Sequence, residues 1–254
     1  MEYSQYRSYE PGDDLRLLDW KMLARSSRYY IKQSEIDTNI AVKFIIDASA
    51  SMLHENNKLT KMDYCRFFCA TLGLLSKHQG DAVGLFSLNE EHLTTLFPKS
   101  HVQHFNRFYH RLIEIENNGK WPVDPLKTNK LYDQRHKELV LFITDMHEEG
   151  EELTRFVERL KTNRNEVILV HLMGDDELEF TYDKVVTFED LESGKRVKLD
   201  ANKANTAYIN NLENYLGKIK QLATNNGMEY ILVNTADKVG EVINLFLKSR
   251  NNVR

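Results

Sequence analysis

Short apolar runs alternate with amphipathic stretches along most of this chain, and the alternation predicts strands and helices in turn. Val42, Phe44, Ile45 and Ile46 fall in the stretch AVKFIIDASASM, residues 41–52, an apolar run of the kind found in strands covered on both faces. Residues 139–145 (LVLFITD) and 166–173 (EVILVHLM) repeat that signature, and 228–233 supplies a last strand. Residues 82–88 and 93–97 read as two strands joined by Asn89, Glu90, Glu91 and His92, a hairpin that adds an antiparallel edge. Between these runs, 61–77 carries Phe67, Phe68, Leu72, Leu74 and Leu75 on a broad helical face, and 102–115 carries Phe105, Phe108, Leu112 and Ile115 on a stripe. Further helices are predicted over 149–162, 205–226 and 239–248. Strand–helix alternation of this kind predicts an α/β fold: a doubly wound, mostly parallel sheet with an antiparallel edge and an N-terminal extension.

The remaining segments are less regular. Residues 1–38 are expected to form an extension docked on the main domain, which spans 39–254. Pro11-Gly12 marks a turn in the extension, an internal salt-bridge network is expected among Asp13, Asp14, Arg16, Asp19 and Arg25, and 29–34 reads as a strand. Residues 53–60 form a polar loop. Asn118-Gly119 and two prolines make 117–133 the least regular part. Asp175, Asp176 and Glu177 read as an acidic loop in solvent. Alternation around Glu192-Ser193-Gly194 predicts an inserted hairpin near 178–200, appended to the sheet.

Chemistry concentrates where two of the buried strands end. In an open α/β sheet the crevice lies at the carboxyl ends of the strands, so Asp47, Ser49 and Ser51 at one end and Thr144 and Asp145 at another are expected to converge. Their oxygens are hard donors, suited to Mg²⁺ or to another hard divalent ion such as Mn²⁺ or Ca²⁺. The D-x-S-x-S at Asp47, Ser49 and Ser51, with the later strand ending in Thr144-Asp145, resembles the metal-ion-dependent adhesion site of von Willebrand factor A domains. Pro11-Gly12-Asp13-Asp14, Arg16, Asp19-Trp20-Lys21 and Ala24-Arg25 resemble the opening signature of the bacterial "domain of unknown function 58" family, which carries such a domain.

That resemblance implies a von Willebrand factor A-like fold and a protein-interaction module with metal ligands Asp47, Ser49, Ser51 and Asp145. A partner's acidic side chain would complete the coordination. It also implies a MoxR-type AAA+ ATPase as partner. A loop threonine normally joins the site directly after a glycine, but this chain has Gly119-Lys120-Trp121-Pro122; Thr128, farther along, is the candidate substitute.

Composition narrows the classes. The chain has 254 residues, enough for one large α/β domain with an embellishment. A net charge of −4 and a sequence pI near 6.2 argue against general nucleic-acid binding. Cys65 and Cys69, one helical turn apart, are expected in the core as free thiols, and His101 and His104 lack the carboxylate–histidine pattern of a metal site. No apolar run reaches the length of a membrane span, and a soluble, cytoplasmic protein is expected. There is no phosphate-binding glycine loop. An aspartyl-phosphate enzyme would show D-x-D where Ser49 stands, and neither a base nor an oxyanion-stabilising arrangement is readable, so an enzyme is the weaker hypothesis. His147 reads as a loop histidine. A metal-free scaffold, with Asp47 merely capping backbone N–H groups, is the third.

Overall fold

The computed structural model describes residues 5–9, 18–26, 28–33, 40–123, 131, 137–148, 150–180, 182 and 185–251. They fall into two compact units, one within Met1–Asn39 and the other within Ile40–Arg254. In the first, β1 (Gln5–Ser8) pairs antiparallel with β2 (Tyr30–Gln33), and α1 (Trp20–Ser26) lies between them in sequence. Asp19 starts that helix: its Oδ1 accepts from the backbone N–H groups of Lys21 and Met22 at 2.9 and 3.1 Å. Asp19 thus caps the helix, while Asp13, Asp14 and Arg16 of the expected salt-bridge network lie outside the described residues.

The second unit is built on β3 (Ala41–Asp47), whose side chains are buried from Val42 onward. After a 3-10 turn at Ala50–Leu53, β4 (Glu55–Asn56) and β5 (Leu59–Thr60) form a miniature hairpin where the sequence suggests only a polar loop. Asn57 and Lys58 both take positive φ, the requirement of a primed turn. The chain continues through α2 (Lys61–Gln79), β6 (Ala82–Leu88), β7 (Leu93–Lys99) and α3 (Val102–Ile113). Then follow β8 (Glu138–Thr144), α4 (Glu152–Leu160), β9 (Asn165–Met173) and a short α5 (Asp175–Glu179). The hairpin β10 (Val185–Glu189) and β11 (Arg196–Asp200), α6 (Ala201–Asn225), β12 (Glu229–Asn234) and α7 (Val239–Asn251) complete it.

Six strands make one sheet in the order β12-β9-β8-β3-β6-β7, parallel throughout except for β7. The expected fold class is therefore observed. The hairpin β10–β11 forms a separate two-stranded sheet and does not join the main one, a correction to the expected appendage. Period-two alternation sends Val42, Phe44 and Ile46 into a core layer shared with α2, α3 and α7. Ile45 enters the opposite layer with residues of α4 and α6. Apolar surface is thus buried on both faces.

Close packing leaves little slack in the first layer. Gly73 of α2 lies so near Phe108 that an added Cβ would stand 2.6 Å from Phe108 Cε1, and that ring is fully buried against Phe44. Alanine would gain about 1 kcal/mol of helix propensity. Overpacking a filled core costs about 1–3 kcal/mol. Gly73→Ala is therefore expected to lower stability by about 1 kcal/mol in urea denaturation; a more stable variant would show that the ring can yield. At the sheet's margin Gly84 performs a related service, since a Cβ there would meet the Pro98 ring of β7 at 2.8 Å.

His104 and the two cysteines are buried in the core, whereas His101 is an exposed helix cap. His101 caps α3 through Nδ1, which accepts from the His104 N–H at 3.2 Å, and His104 Nε2 donates to the Val83 carbonyl at 2.6 Å. Cys65 and Cys69 are free and buried, their sulfurs 3.9 Å apart.

Candidate functional site at the strand ends

Register decides where the polar residues meet. β3 and β8 are neighbours and parallel with Ile46 opposite Ile143, so the following residues, Asp47 and Thr144, leave the sheet side by side. Thr144 Oγ1 donates to Asp47 Oδ2 at 2.7 Å, and the Ser49 N–H donates to Asp47 Oδ1 at 2.9 Å. The hydroxyls of Ser49 and Ser51 lie 2.9 Å apart, and Ser51 Oγ donates to Asp145 Oδ1 at 3.0 Å. A continuous polar chain thus joins the two strand ends, and all of these side chains are buried. Asp47, Ser49, Ser51 and Asp145 are brought together; Thr128 lies outside the described residues.

Residues 117–119, beside the position where the resemblance places a threonine, contact the site through amides. Asn117 Nδ2 donates to the Ser49 carbonyl at 3.0 Å, the Asn118 N–H to the Ala48 carbonyl at 3.0 Å, and the Ala50 N–H to the Gly119 carbonyl at 2.9 Å. The loop fixes the backbone of 48–50 and then buries Trp121 against Phe142 and Phe156.

Two residues not singled out in the sequence change the electrostatics. Lys61, at the start of α2, is buried with its ammonium 3.1 Å from Asp145 Oδ2 and 2.8 Å from Glu177 Oε1. Burial opposes its charge, but Asp145 and Glu177 outweigh that and hold the lysine above its ordinary range. Burial likewise opposes ionisation of Asp145, and Lys61 reverses the balance and keeps its carboxyl below the usual range. Asp47 has no such cation among the described residues: burial, with repulsion from Asp145, pushes it up to about 7.

The second is Glu192, at the turn of the β10–β11 hairpin. Its side chain is only 2 % exposed, and its Oε1 is buried with no hydrogen-bond partner among the described residues. Burial first, then the charges of Asp47 and Asp145, push it up to about 8; the Ser51 hydroxyl faces it and pulls the other way. His147 Nε2 is 3.7 Å from Asp190 Oδ1 and 4.0 Å from Glu192 Oε2, which places the expected loop histidine beside the hairpin. Spacing alone pointed to neither residue. A lysine capping a strand-end carboxylate and a glutamate in a polar turn both look like surface groups.

Behind the site, His171 Nε2 donates to the Asp145 carbonyl at 3.0 Å and its Nδ1 accepts from Tyr230 Oη at 2.9 Å. Burial keeps this imidazole neutral, pushing it down to about 4. In front, a cleft of about 380 Å³ is lined by Ser51, Lys61, Asp145, Asp190 and Tyr215 among others. The acidic stretch expected as a solvent loop is the short helix α5, half-buried and tied in, because the Gly174 N–H donates to Glu177 Oε2 at 2.7 Å and Tyr182 Oη to Asp176 Oδ2 at 2.8 Å. His54, Asp176 and Glu177 also place potential ligand atoms within 4.8 Å of one another, so a divalent cation could in principle be chelated there. Those oxygens are already engaged by Lys61, Gly174 and Tyr182.

The donor set at the strand ends fits a hard cation better. Two hydroxyls and several carboxyl groups gather there, and one buried carboxyl oxygen has no hydrogen-bond partner among the described residues. Among the described residues no helix is long and apolar enough to cross a membrane.

Comparison with known proteins agrees with this architecture. A family described as "Protein of unknown function DUF58" matches residues 5–211. An uncharacterized protein of Mycobacterium tuberculosis is 27% identical over 103 residues, which are 41% of this chain and 32% of that one. The aligned region is thus about a third of that relative's length. Among solved structures, the conserved hypothetical protein BatB of Bacteroides thetaiotaomicron superposes with a TM-score of 0.52 at 12% identity, covering 84% of this chain and 100% of that one. The pilus adhesin SpaC of Lactobacillus rhamnosus GG gives 0.52 at 10%, covering 85% and 31%. At such identities the likeness concerns the fold.

Proposed function

The chain belongs to the DUF58 family, and from that membership we propose that it is a non-catalytic protein-interaction module whose strand-end site binds a partner through a Mg²⁺-type cation. Asp47, Ser49 and Ser51 would hold the ion directly or through water, with Asp145 orienting bound water and Thr128 a further candidate. The cation would supply charge for a partner's carboxylate to meet. The observation that carries the reading is the chain of contacts from Ser49 Oγ through Ser51 Oγ to Asp145 Oδ1, which unites hydroxyls and carboxylates from segments far apart in sequence. The partner proposed from the family resemblance is a MoxR-type AAA+ ATPase, and a cytoplasmic location goes with that proposal.

A metal-free scaffold is the second reading, and one observation favours it: Lys61 already sets a positive charge beside Asp145. Calorimetry separates the two. Mg²⁺ or Mn²⁺ titrated into the full chain is expected to give saturable heat, and Asp47→Ala is expected to weaken binding by about a hundredfold or more, since even outer partners of a metal ligand count for 10–100-fold. Pull-down of the ATPase should fail with chelator and with Ser49→Ala plus Ser51→Ala. Absence of heat in the native chain would leave the scaffold.

A further inference from the structure

Glu192 is buried in a way that the hairpin's own structure does not require. The turn is already closed by Asp190, whose Oδ1 accepts from the Glu192 N–H at 2.9 Å and whose Oδ2 accepts from Ser193 Oγ at 2.6 Å. It is closed too by the Gly194 N–H donating to the Asp190 carbonyl at 2.7 Å and the Asp190 N–H to the Lys195 carbonyl at 2.9 Å. A glutamate in such a turn normally extends into water. Here it is turned inward, to within electrostatic reach of both Asp47 and Asp145.

Three buried carboxyl groups then face the buried ammonium of Lys61, which is already shared with Glu177, and burial together with mutual repulsion holds Asp47 and Glu192 toward their protonated forms. Ionising them together without a compensating cation is unfavourable, as for any unpaired charge in a protein interior. The protein groups present do not meet that need. Ser51 has one hydroxyl hydrogen, given to Asp145, and His147 lies 4.0 Å from Glu192 and is nearly half exposed. Glu192 Oε1 has no partner at all among the described residues.

We propose that Glu192 is an internal ligand of the divalent cation at the strand-end site, delivered by the β10–β11 hairpin into the coordination position that a partner's carboxylate would otherwise take. The inference rests on the metal-binding reading above and adds to it a consequence for recognition. A partner's acidic side chain competes with a carboxylate of the same chemical kind already tethered to the module, so docking requires the hairpin turn to swing out. The hairpin suits such exchange: it pairs only with itself among the described strands, and its strands are largely exposed.

The test follows Mg²⁺ binding by calorimetry and amide hydrogen exchange over residues 185–200, in the full chain and in Glu192→Ala, Glu192→Gln and Asp47→Ala. In the native chain Mg²⁺ is expected to slow exchange in the hairpin by about tenfold or more, whereas neither Glu192 variant shows that protection. Both variants should still bind the ion, about tenfold more weakly, within the range for loss of one supporting group. Acetate should then tighten Mg²⁺ binding by Glu192→Ala and leave the native chain unchanged. Equal Mg²⁺ affinity and equal hairpin exchange in native and Glu192 variants, with Asp47→Ala still abolishing binding, would overturn the internal ligand and leave the metal site standing. No uptake of Mg²⁺ by the native chain would overturn both.

Discussion

Lys43→Met is expected to lose about 3–5 kcal/mol of folding stability, the range measured when one partner of a buried ion pair is removed. Lys43 sits in the middle of the central strand β3 and is 1 % exposed, with its ammonium 2.7 Å from Glu138 Oε2 and 3.1 Å from the Leu131 carbonyl. It also lies over the Phe86 ring, 5.4 Å from the centroid. Methionine keeps most of the volume, so the loss isolates the charge. The buried Glu138 carboxylate then lacks the Lys43 ammonium, and several kcal/mol is a large share of the 5–15 kcal/mol that holds a typical domain together. Combining Lys43→Met with Glu138→Gln should recover most of the loss, because the pair's Coulombic gain is largely cancelled by its desolvation. Urea denaturation of the three proteins checks this, and a single variant within 1 kcal/mol of the native chain would show that the ion pair is dispensable.

The second large effect belongs to Lys61. In chelator, Lys61→Met should again cost about 3 kcal/mol or more, because Asp145 is then left in a buried pocket beside Asp47 with its ammonium gone. Mg²⁺ should affect native and variant chains unequally. Removing a positive charge beside Asp145 deepens the negative potential of the site, so the ion should bind the variant more tightly and return more stability to it. A hundredfold excess over the dissociation constant stabilises by about 2.7 kcal/mol, and each tenfold tightening adds about 1.4 kcal/mol. Denaturation midpoints with and without Mg²⁺ give the comparison. Equal Mg²⁺ increments in the two chains would mean that Lys61 and the cation do not sense each other.

These two lysines also mark the boundary of what pattern reading can reach. The parallel strands were legible because sheets covered on both faces need long apolar runs, and β3, β8 and β9 have them except where Lys43 and His171 intervene. Lys43 was not singled out in the sequence, although a lysine inside a doubly buried strand has to find an anion, and the fold supplies Glu138 at the start of β8. Asp47, Ser49, Ser51 and Asp145 could be placed together because polar residues directly after buried strands share one rim. Glu192 could not, since nothing in Glu192-Ser193-Gly194 distinguishes a turn that points into the molecule from one that points to water. Asp175 to Glu177 were misread for the converse reason. Glu177's partner, Lys61, is remote in sequence, so the run looked solvated.

Pro98, packed over Gly84 on the outermost strand β7, carries a consequence for how copies of the protein behave at high concentration. A bare flank invites a neighbour to anneal alongside and start a fibril, but a ring in place of an N–H, together with a register irregularity between Val83 and Leu85, interrupts the ladder that such annealing would need. Polymerisation along that flank is thereby discouraged by the covalent chemistry of one residue, whatever binds at the other end of the strands.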